Sequence, residues 1–306
     1  MHEIIEKINK LKKEKNAVVL AHCYQNVEID EVADFVGDSL YLSRKANETN
    51  ADIIVFAGVY FMAQTAKLLS PDKKVLLPRL ESGCRMADMI DLDQIREFKS
   101  QHPNLPVICY INSTAEVKSE SDMCCTSSNA VRIVESMGAD EVLFLPDTYL
   151  GKWVEQKLGN VKITTYPGFC PTHLQIKPKD ILDAREKYPN AKILAHPECH
   201  QEVSKLADFV GSTSEIMKYA IESKEKQFVI ATEVGVVDRL KRDYPDKEFI
   251  LIKNSVVCPN MKWHTLQDIY DALDKEQHEI TVDEQIAQKA VKCINKMLDV
   301  STKSLK

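Results

Sequence analysis

The chain has 306 residues, 44% of them apolar and 28% charged, a composition ordinary for a soluble globular protein and long enough for two or three domains. A net charge of -6 and a pI near 5.8 argue against a surface built for phosphate backbones, so no nucleic-acid partner is expected. No apolar run is long enough to span a bilayer and the charged, helix-like N-terminus is unlike a signal segment, so a cytoplasmic protein without membrane contact is expected.

Residues 1–15 read as an amphipathic helix with Ile4, Ile5, Ile8 and Leu11 on one face. Residues 17–21 have the shape of a buried parallel strand and end at His22. A second short strand, Phe35-Val36, leads to Gly37-Asp38-Ser39, where Ser39 is the expected N-cap of a helix. Strand 52–57, helix 60–69 and strand 74–77 follow, and the unit closes at Cys84. The same grammar returns twice. A second unit runs from strand 107–109 through a helix opened by Ser127 and strands 141–145 and 162–166 to Cys170. A third runs from strand 192–195 through Thr213 at a helix start and strands 227–231 and 248–252 to Cys258. Residues 86–102 and 174–188 look like helical connectors, and 266–298 like two helices packing back on the first unit. Strands alternating with helices predict an α/β fold with right-handed crossovers and parallel sheets covered on both faces.

A literal repeat supports this reading. Ala33-Asp34-Phe35-Val36-Gly37 recurs at 207–211, 174 residues later, and the looser Ser121-Asp122-Met123-Cys124-Cys125 lies near the midpoint. Chemistry is therefore sought in columns of three. His22, Tyr110 and His196 are spaced 88 and 86 apart, as are Tyr24, Asn112 and Glu198, and Ser39, Ser127 and Thr213. Cys84, Cys170 and Cys258 are spaced 86 and 88 apart.

The nine cysteines are odd in number and contain no Cys-x-x-Cys, which excludes a disulfide framework or a local zinc ribbon. The aligned trio predicts a shared metal site with an open position, either an iron–sulfur cluster with one free iron or zinc with a water. Cys23, Cys109, Cys124, Cys125, Cys199 and Cys293 have no column and are read as buried structural thiols. Cys124 and Cys125, adjacent on a strand, point to opposite faces and do not chelate together. The hydroxyl column at helix starts predicts an anion pocket, with His22, His196 and the nearby His173 adding hydrogen bonds. Tyr24, Tyr110 and Glu198 are proton-transfer candidates. No Gly-x-Gly-x-x-Gly or phosphate-loop motif appears, which disfavours dinucleotide or nucleoside-triphosphate binding.

The runs Ala21-His22-Cys23-Tyr24-Gln25, Gly37-Asp38-Ser39, Tyr110-Ile111-Asn112-Ser113, Thr126-Ser127-Ser128-Asn129-Ala130, Pro167-Gly168-Phe169-Cys170, His196-Pro197-Glu198-Cys199 and Cys258-Pro259-Asn260-Met261-Lys262 together resemble the quinolinate synthase family over nearly the whole chain. The resemblance implies three pseudo-symmetric αβα domains, each with a mostly four-stranded parallel sheet, around a central [4Fe–4S] cluster. The boundaries implied here are 1–85 (joined by 259–306), 86–172 and 173–258. It also implies condensation of iminoaspartate with dihydroxyacetone phosphate to quinolinate, phosphate and water in NAD biosynthesis, with possible transient contact to an iminoaspartate-producing enzyme. Cys84, Cys170 and Cys258 would hold the cluster, whose open iron would act as a Lewis acid. His22, Ser39, Ser127, His173 and Thr213 would contact substrate, joined by a catalytic shell of Tyr24, Tyr110, Asn112, His196 and Glu198, the last four of which also touch substrate. The thiol switching of relatives with Cys-x-x-Cys-x-x-Cys near the third ligand is not expected, because Met261 and His264 stand at the later positions. Rival readings are a metal- or iron–sulfur-dependent dehydratase of another dicarboxylic acid and a non-catalytic anion-binding or redox-sensing protein.

Overall fold

Aliphatic and β-branched side chains of the first unit form β1 (Ala17–His22), β2 (Phe35–Gly37), β3 (Ile53–Ala57) and β4 (Lys74–Leu76). Every residue of β3 and all but the first of β1 are buried, as strands covered on both faces require. The second unit forms β5 (Val107–Tyr110), β6 (Met123–Cys125), β7 (Glu141–Leu145) and β8 (Lys162–Thr165). The third forms β9 (Lys192–Ala195), β10 (Phe209–Val210), β11 (Gln227–Ala231) and β12 (Glu248–Leu251). The computed structural model describes residues 1–302.

The three sheets are four-stranded and share one order: β2-β1-β3-β4, β6-β5-β7-β8 and β10-β9-β11-β12, with all neighbours parallel. The α/β fold of three similar units expected from the sequence is the fold observed. In this order the chain leaves the first strand for one edge and returns across it to the other, so the carboxyl ends of each unit's two central strands flank a topological switch point, where ligands bind in such sheets.

The repeated pentapeptide has a structural task. The second strand of each unit is two or three residues long and makes few ladder bonds. One aspartate pins it to the first strand each time. Asp34 N–H donates to the Val19 carbonyl at 2.8 Å while its carboxylate accepts the Val19 N–H at 2.8 Å. Asp122 does the same with Val107 at 2.9 and 2.8 Å, and Asp208 with Ile193 at 2.8 and 2.7 Å.

The cores are distributed unequally. One apolar cluster runs unbroken from the first sheet through the second, and the third unit has two clusters of its own, one on each face of its sheet. The helix Leu266–Lys275 packs on the first unit, against the helix His2–Glu14 and β3. The final helix, Glu284–Thr302, differs from the expectation. It lies across β6 and the helices Ala115–Ser119 and Ala130–Ser136, with only a lesser contact to the first unit. The physical reason is an apolar face at β5 and β6, Cys109 and Cys124 included, which Ala290, Cys293, Ile294 and Met297 of that helix cover. Among the described residues no helix is long and apolar enough to cross a membrane.

Candidate active site

The carboxyl ends of the three sheets converge on one cavity of about 350 Å³ lined by all three units. Its wall includes each candidate residue: Cys84, Cys170 and Cys258; Ser39, Ser127 and Thr213; His22, His173 and His196; and Tyr24, Tyr110, Asn112 and Glu198. Among the lining residues Arg85, an exposed side chain, is the only lysine or arginine. Anions entering this cavity would therefore meet neutral donors more than formal charges.

His22 and His196 occupy equivalent strand ends and make the same bond. The Nδ1 of His22 accepts the Tyr24 N–H at 3.1 Å, and that of His196 accepts the Glu198 N–H at 3.2 Å. With Nδ1 accepting, the neutral ring carries its proton on Nε2. Burial pushes His22 down to about 3, helped by the Arg239 charge, and burial pushes His196 down to about 3 as well. Both are neutral donors at ordinary pH.

A hydrogen-bonded chain joins the acid–base candidates. The Tyr24 hydroxyl lies 2.9 Å from Thr213 Oγ1 and 3.1 Å from Thr232 Oγ1. Thr232 Oγ1 lies 2.8 Å from His173 Nε2, and His173 Nδ1 lies 2.8 Å from Glu198 Oε2. On the other side, Tyr110 Oη donates to Glu198 Oε1 at 2.5 Å. Burial opposes charge on Glu198, but His173 and the bonds donated by His173 and Tyr110 outweigh it and hold the carboxyl below the usual carboxylate range. An ionised Glu198 only accepts, so His173 Nδ1 donates to it, and the tautomer this requires lets Nε2 accept from Thr232. The chain then runs Thr213, Tyr24, Thr232, His173, Glu198, with every donor aimed at the carboxylate. Both tyrosines are pushed well above their ordinary range, first by burial and then by the Glu198 charge, so they stay protonated.

The hydroxyl column is not the capping column. The caps are Asp38, whose carboxylate accepts the Tyr41 N–H, and Ser212, whose hydroxyl accepts the Glu215 N–H in a capping box. Ser39 and Thr213 stand one residue later, in the first turn of helices Ser39–Glu48 and Thr213–Glu222, and Ser127 precedes the helix Ala130–Ser136 with Asn129 between. Because Asp38 and Ser212 do the capping, the hydroxyls of Ser39 and Thr213 are left for the cavity, beside helix ends that favour anions. The Oδ1 of Asn112 is buried there without a protein partner.

Burial pushes the cavity thiols up, Cys84 to about 12, Cys170 well above its ordinary range and Cys258 upward, so none is a poised nucleophile. Cys84 faces Cys258, and Cys170 faces both, across the cavity. Among the described residues, Cys170, His173 and Glu198 place donor atoms within 4.8 Å of one another, whereas the three cavity thiols do not form such a group. A single tetrahedral ion with bonds of about 2.3 Å would hold its sulfurs about 3.8 Å apart. The wider spacing suits a polynuclear group whose corners take separate thiols.

Several residues escaped the search for threes. Thr232 completes the chain to Glu198, but Gly58 and Pro146 stand at its equivalents, so no hydroxyl column marks it. Asp147 and Glu233 share a register 86 apart and could have been found. Asp147 lies buried beside the backbone of Cys170, where burial and Glu198 push its carboxyl up, and Glu233 accepts the Cys258 N–H at 3.2 Å. Gly168 allows the Cys170 loop to approach Pro146, whose carbonyl oxygen would stand 2.5 Å from any Cβ. The trio Cys109, Cys124 and Cys293, read as unrelated structural thiols, is brought together at one point of the core.

The chain matches the family model described as NadA: Quinolinate synthetase A protein over residues 6–299. It is 53% identical over 297 residues to the quinolinate synthase of Alkaliphilus metalliredigens (strain QYMF), covering 97% of this chain and 98% of that one. It is 51% identical over 297 residues to the quinolinate synthase of Dehalococcoides mccartyi (strain CBDB1), with 97% and 98% covered. With that of Caldicellulosiruptor saccharolyticus the identity is 48% over 301 residues, covering 98% and 99%.

Proposed function

The chain belongs to the quinolinate synthase family, and from that premise we propose that it condenses iminoaspartate with dihydroxyacetone phosphate to quinolinate, releasing phosphate and water in NAD biosynthesis. The observation that carries this reading is the single cavity in which three thiols, one per unit, meet a chain of donors ending on Glu198. Units 1–85, 86–172 and 173–258 would each bring one thiol, and Cys84, Cys170 and Cys258 would hold a [4Fe–4S] cluster. With three thiolates one iron would keep a position free of protein ligands, and that position would supply Lewis acidity.

The protein's own groups supply the rest. The Nε2–H groups of His22 and His196, with Ser39, Ser127 and Thr213, would bind substrate carboxylates and phosphate as neutral donors. Asn112 Oδ1 would accept a substrate N–H, which pairs an otherwise unsatisfied buried atom. Ionised Glu198 is the group that can take a proton, and Tyr110 and His173 orient it through the bonds they donate. Tyr24, whose hydroxyl rests on Thr213 and Thr232, would turn from Thr232 to donate to a leaving oxygen. An iminoaspartate-producing enzyme must supply one substrate, and transient contact with it belongs to the same proposal.

Anaerobically purified protein should be brown, with about four iron and four sulfide per chain. Cys170→Ala should lose that absorbance together with quinolinate formation. Glu198→Gln should keep the absorbance and lose turnover by about 100-fold or more, the scale of general acid–base catalysis. A Cys170→Ala protein that stays brown and active would overturn the ligand set, and wild-type rates in Glu198→Gln would remove its role.

A further inference from the structure

Away from the cavity, Cys109 on β5, Cys124 on β6 and Cys293 on the final helix bring their sulfurs to one point. The Sγ separations are 3.4 Å between Cys109 and Cys124, 3.2 Å between Cys124 and Cys293 and 3.8 Å between Cys109 and Cys293. All three are buried, at 0%, 0% and 2% exposure. None lines the cavity of the proposed active site.

Three small apolar thiols filling a core is the bland account, and a second observation counts against it. Lys118, on the helix Ala115–Ser119 that packs against the final helix, is itself fully buried. Its ammonium donates to the Ser113 carbonyl and sits 5.4 Å from the centre of the Phe61 ring. Among the described residues no carboxylate pairs with it, and the anion-forming groups it faces most strongly are Cys124, Cys109 and Cys293. A buried lysine needs a counter-charge, and these sulfurs are the groups placed to supply it.

We propose that Cys109, Cys124 and Cys293 form a second metal site, independent of the cavity thiols, that takes one soft d¹⁰ ion in three-thiolate coordination. The spacing fits one ion: bonds of about 2.3 Å in a plane need sulfurs about 4.0 Å apart, reached by moving each a few tenths of an ångström. It does not fit a cluster, whose corners could not be reached by sulfurs in mutual contact. On binding, the three thiols release their protons to solvent, and three thiolates, a divalent ion and the Lys118 ammonium then sum to zero charge. Zinc(II) meets that balance, and copper(I) is the other ion that such thiolates select. Either would tie the final helix to both strands of the middle sheet that it covers.

The test uses anaerobic holoprotein. One equivalent of zinc(II) or, separately, copper(I) is added, unbound ion is removed, and retained metal, iron content and melting temperature are measured. Wild type should retain one added ion per chain with its iron unchanged and melt higher, since an ion bound only by the native state stabilises it. Its X-ray absorption spectrum should show three sulfur neighbours. Cys293→Ala should keep the iron and lose both the ion and the rise in melting temperature. Retention of neither ion by wild type, equal retention by Cys293→Ala, or nitrogen and oxygen neighbours would each overturn the proposal. Should Cys293→Ala not fold, Cys109→Ser and the wild-type absorption spectrum decide it on the same terms. Because iron is read separately, failure here leaves the cavity assignment untouched, and the reverse holds too.

Discussion

At the residue scale the site works by withholding charge. His22 and His196 are pushed to about 3 by burial, and His264, buried under the Cys84 loop and bonded to the Gly58 carbonyl, to about 4. Their unfolded values lie near 6.5, so between about pH 6.5 and 5 the unfolded chain binds protons that the folded chain refuses. Stability should therefore fall as pH falls through this window, by up to about 1.4 kcal/mol per pH unit for each histidine. Glu198 shifts in the same direction, in a lower window. Its carboxyl is held below the usual range, so its contribution is lost only at lower pH, beneath the unfolded value near 4.5. Urea unfolding measured between pH 5 and 7 separates the two. His22→Gln should reduce the slope by one histidine's share, and an unchanged slope would refute the burial argument for that ring.

At the element scale, short second strands and the helices after them explain why aspartate and hydroxyl columns coexist. The aspartates clip β2, β6 and β10 to their neighbours, and in the first and third units the chain then caps a helix with one residue and offers the next to the cavity. Sequence spacing found both columns but gave the capping role to the wrong member, because Asp38-Ser39 and Ser212-Thr213 are each two potential caps in a row. Only the backbone dihedrals separate them, extended at Asp38 and Ser212 and helical from the next residue. The two jobs should separate by mutation. Ser212→Ala should cost about 1 kcal/mol of stability and leave kcat/KM nearly unchanged. Thr213→Val should leave the melting temperature nearly unchanged and lower kcat/KM by about tenfold, the worth of one bond to an anion. The reverse pattern would restore Thr213 as the cap.

At the scale of the whole molecule the first two units share one apolar core, and the third is held to the first largely by polar contacts. Arg239 is the principal tie. Fully enclosed, its guanidinium donates to the Cys23 carbonyl at 2.7 Å and the Gln25 carbonyl at 2.9 Å and pairs with Asp30, while Arg242 reaches the same carboxylate at 2.8 Å. The helix carrying Arg239 approaches so closely that a Cβ on Gly235 would lie 2.8 Å from the Cys23 carbonyl oxygen. Tyr24 stands in the next position, so this tie sets where its hydroxyl meets Thr213 and Thr232. Arg239→Lys keeps the charge and loses the fork. It should cost about 1–3 kcal/mol of stability, an imperfectly satisfied buried group's worth, and lower kcat/KM by about tenfold with iron content unchanged. Wild-type kinetics in a destabilised variant would reduce Arg239 to a packing residue.

The sequence by itself determined the three-fold α/β plan, because strand burial and aspartate clips are local constraints that recur at 86 and 88 residues. It also marked the site residues that follow the first strand of each unit, since duplication keeps such positions in register even when their chemistry diverges. Only the tertiary structure decided which groups work together across units. Thr232 joins Tyr24 to His173 over 208 and 59 residues, Arg239 reaches Cys23 over 216, and Cys293 meets Cys109 over 184. None of these has a counterpart in the other units, so no periodicity announces it. Such contacts follow from how three sheets and a final helix pack together, and packing is set by the shape and polarity of whole surfaces rather than by any short run of residues.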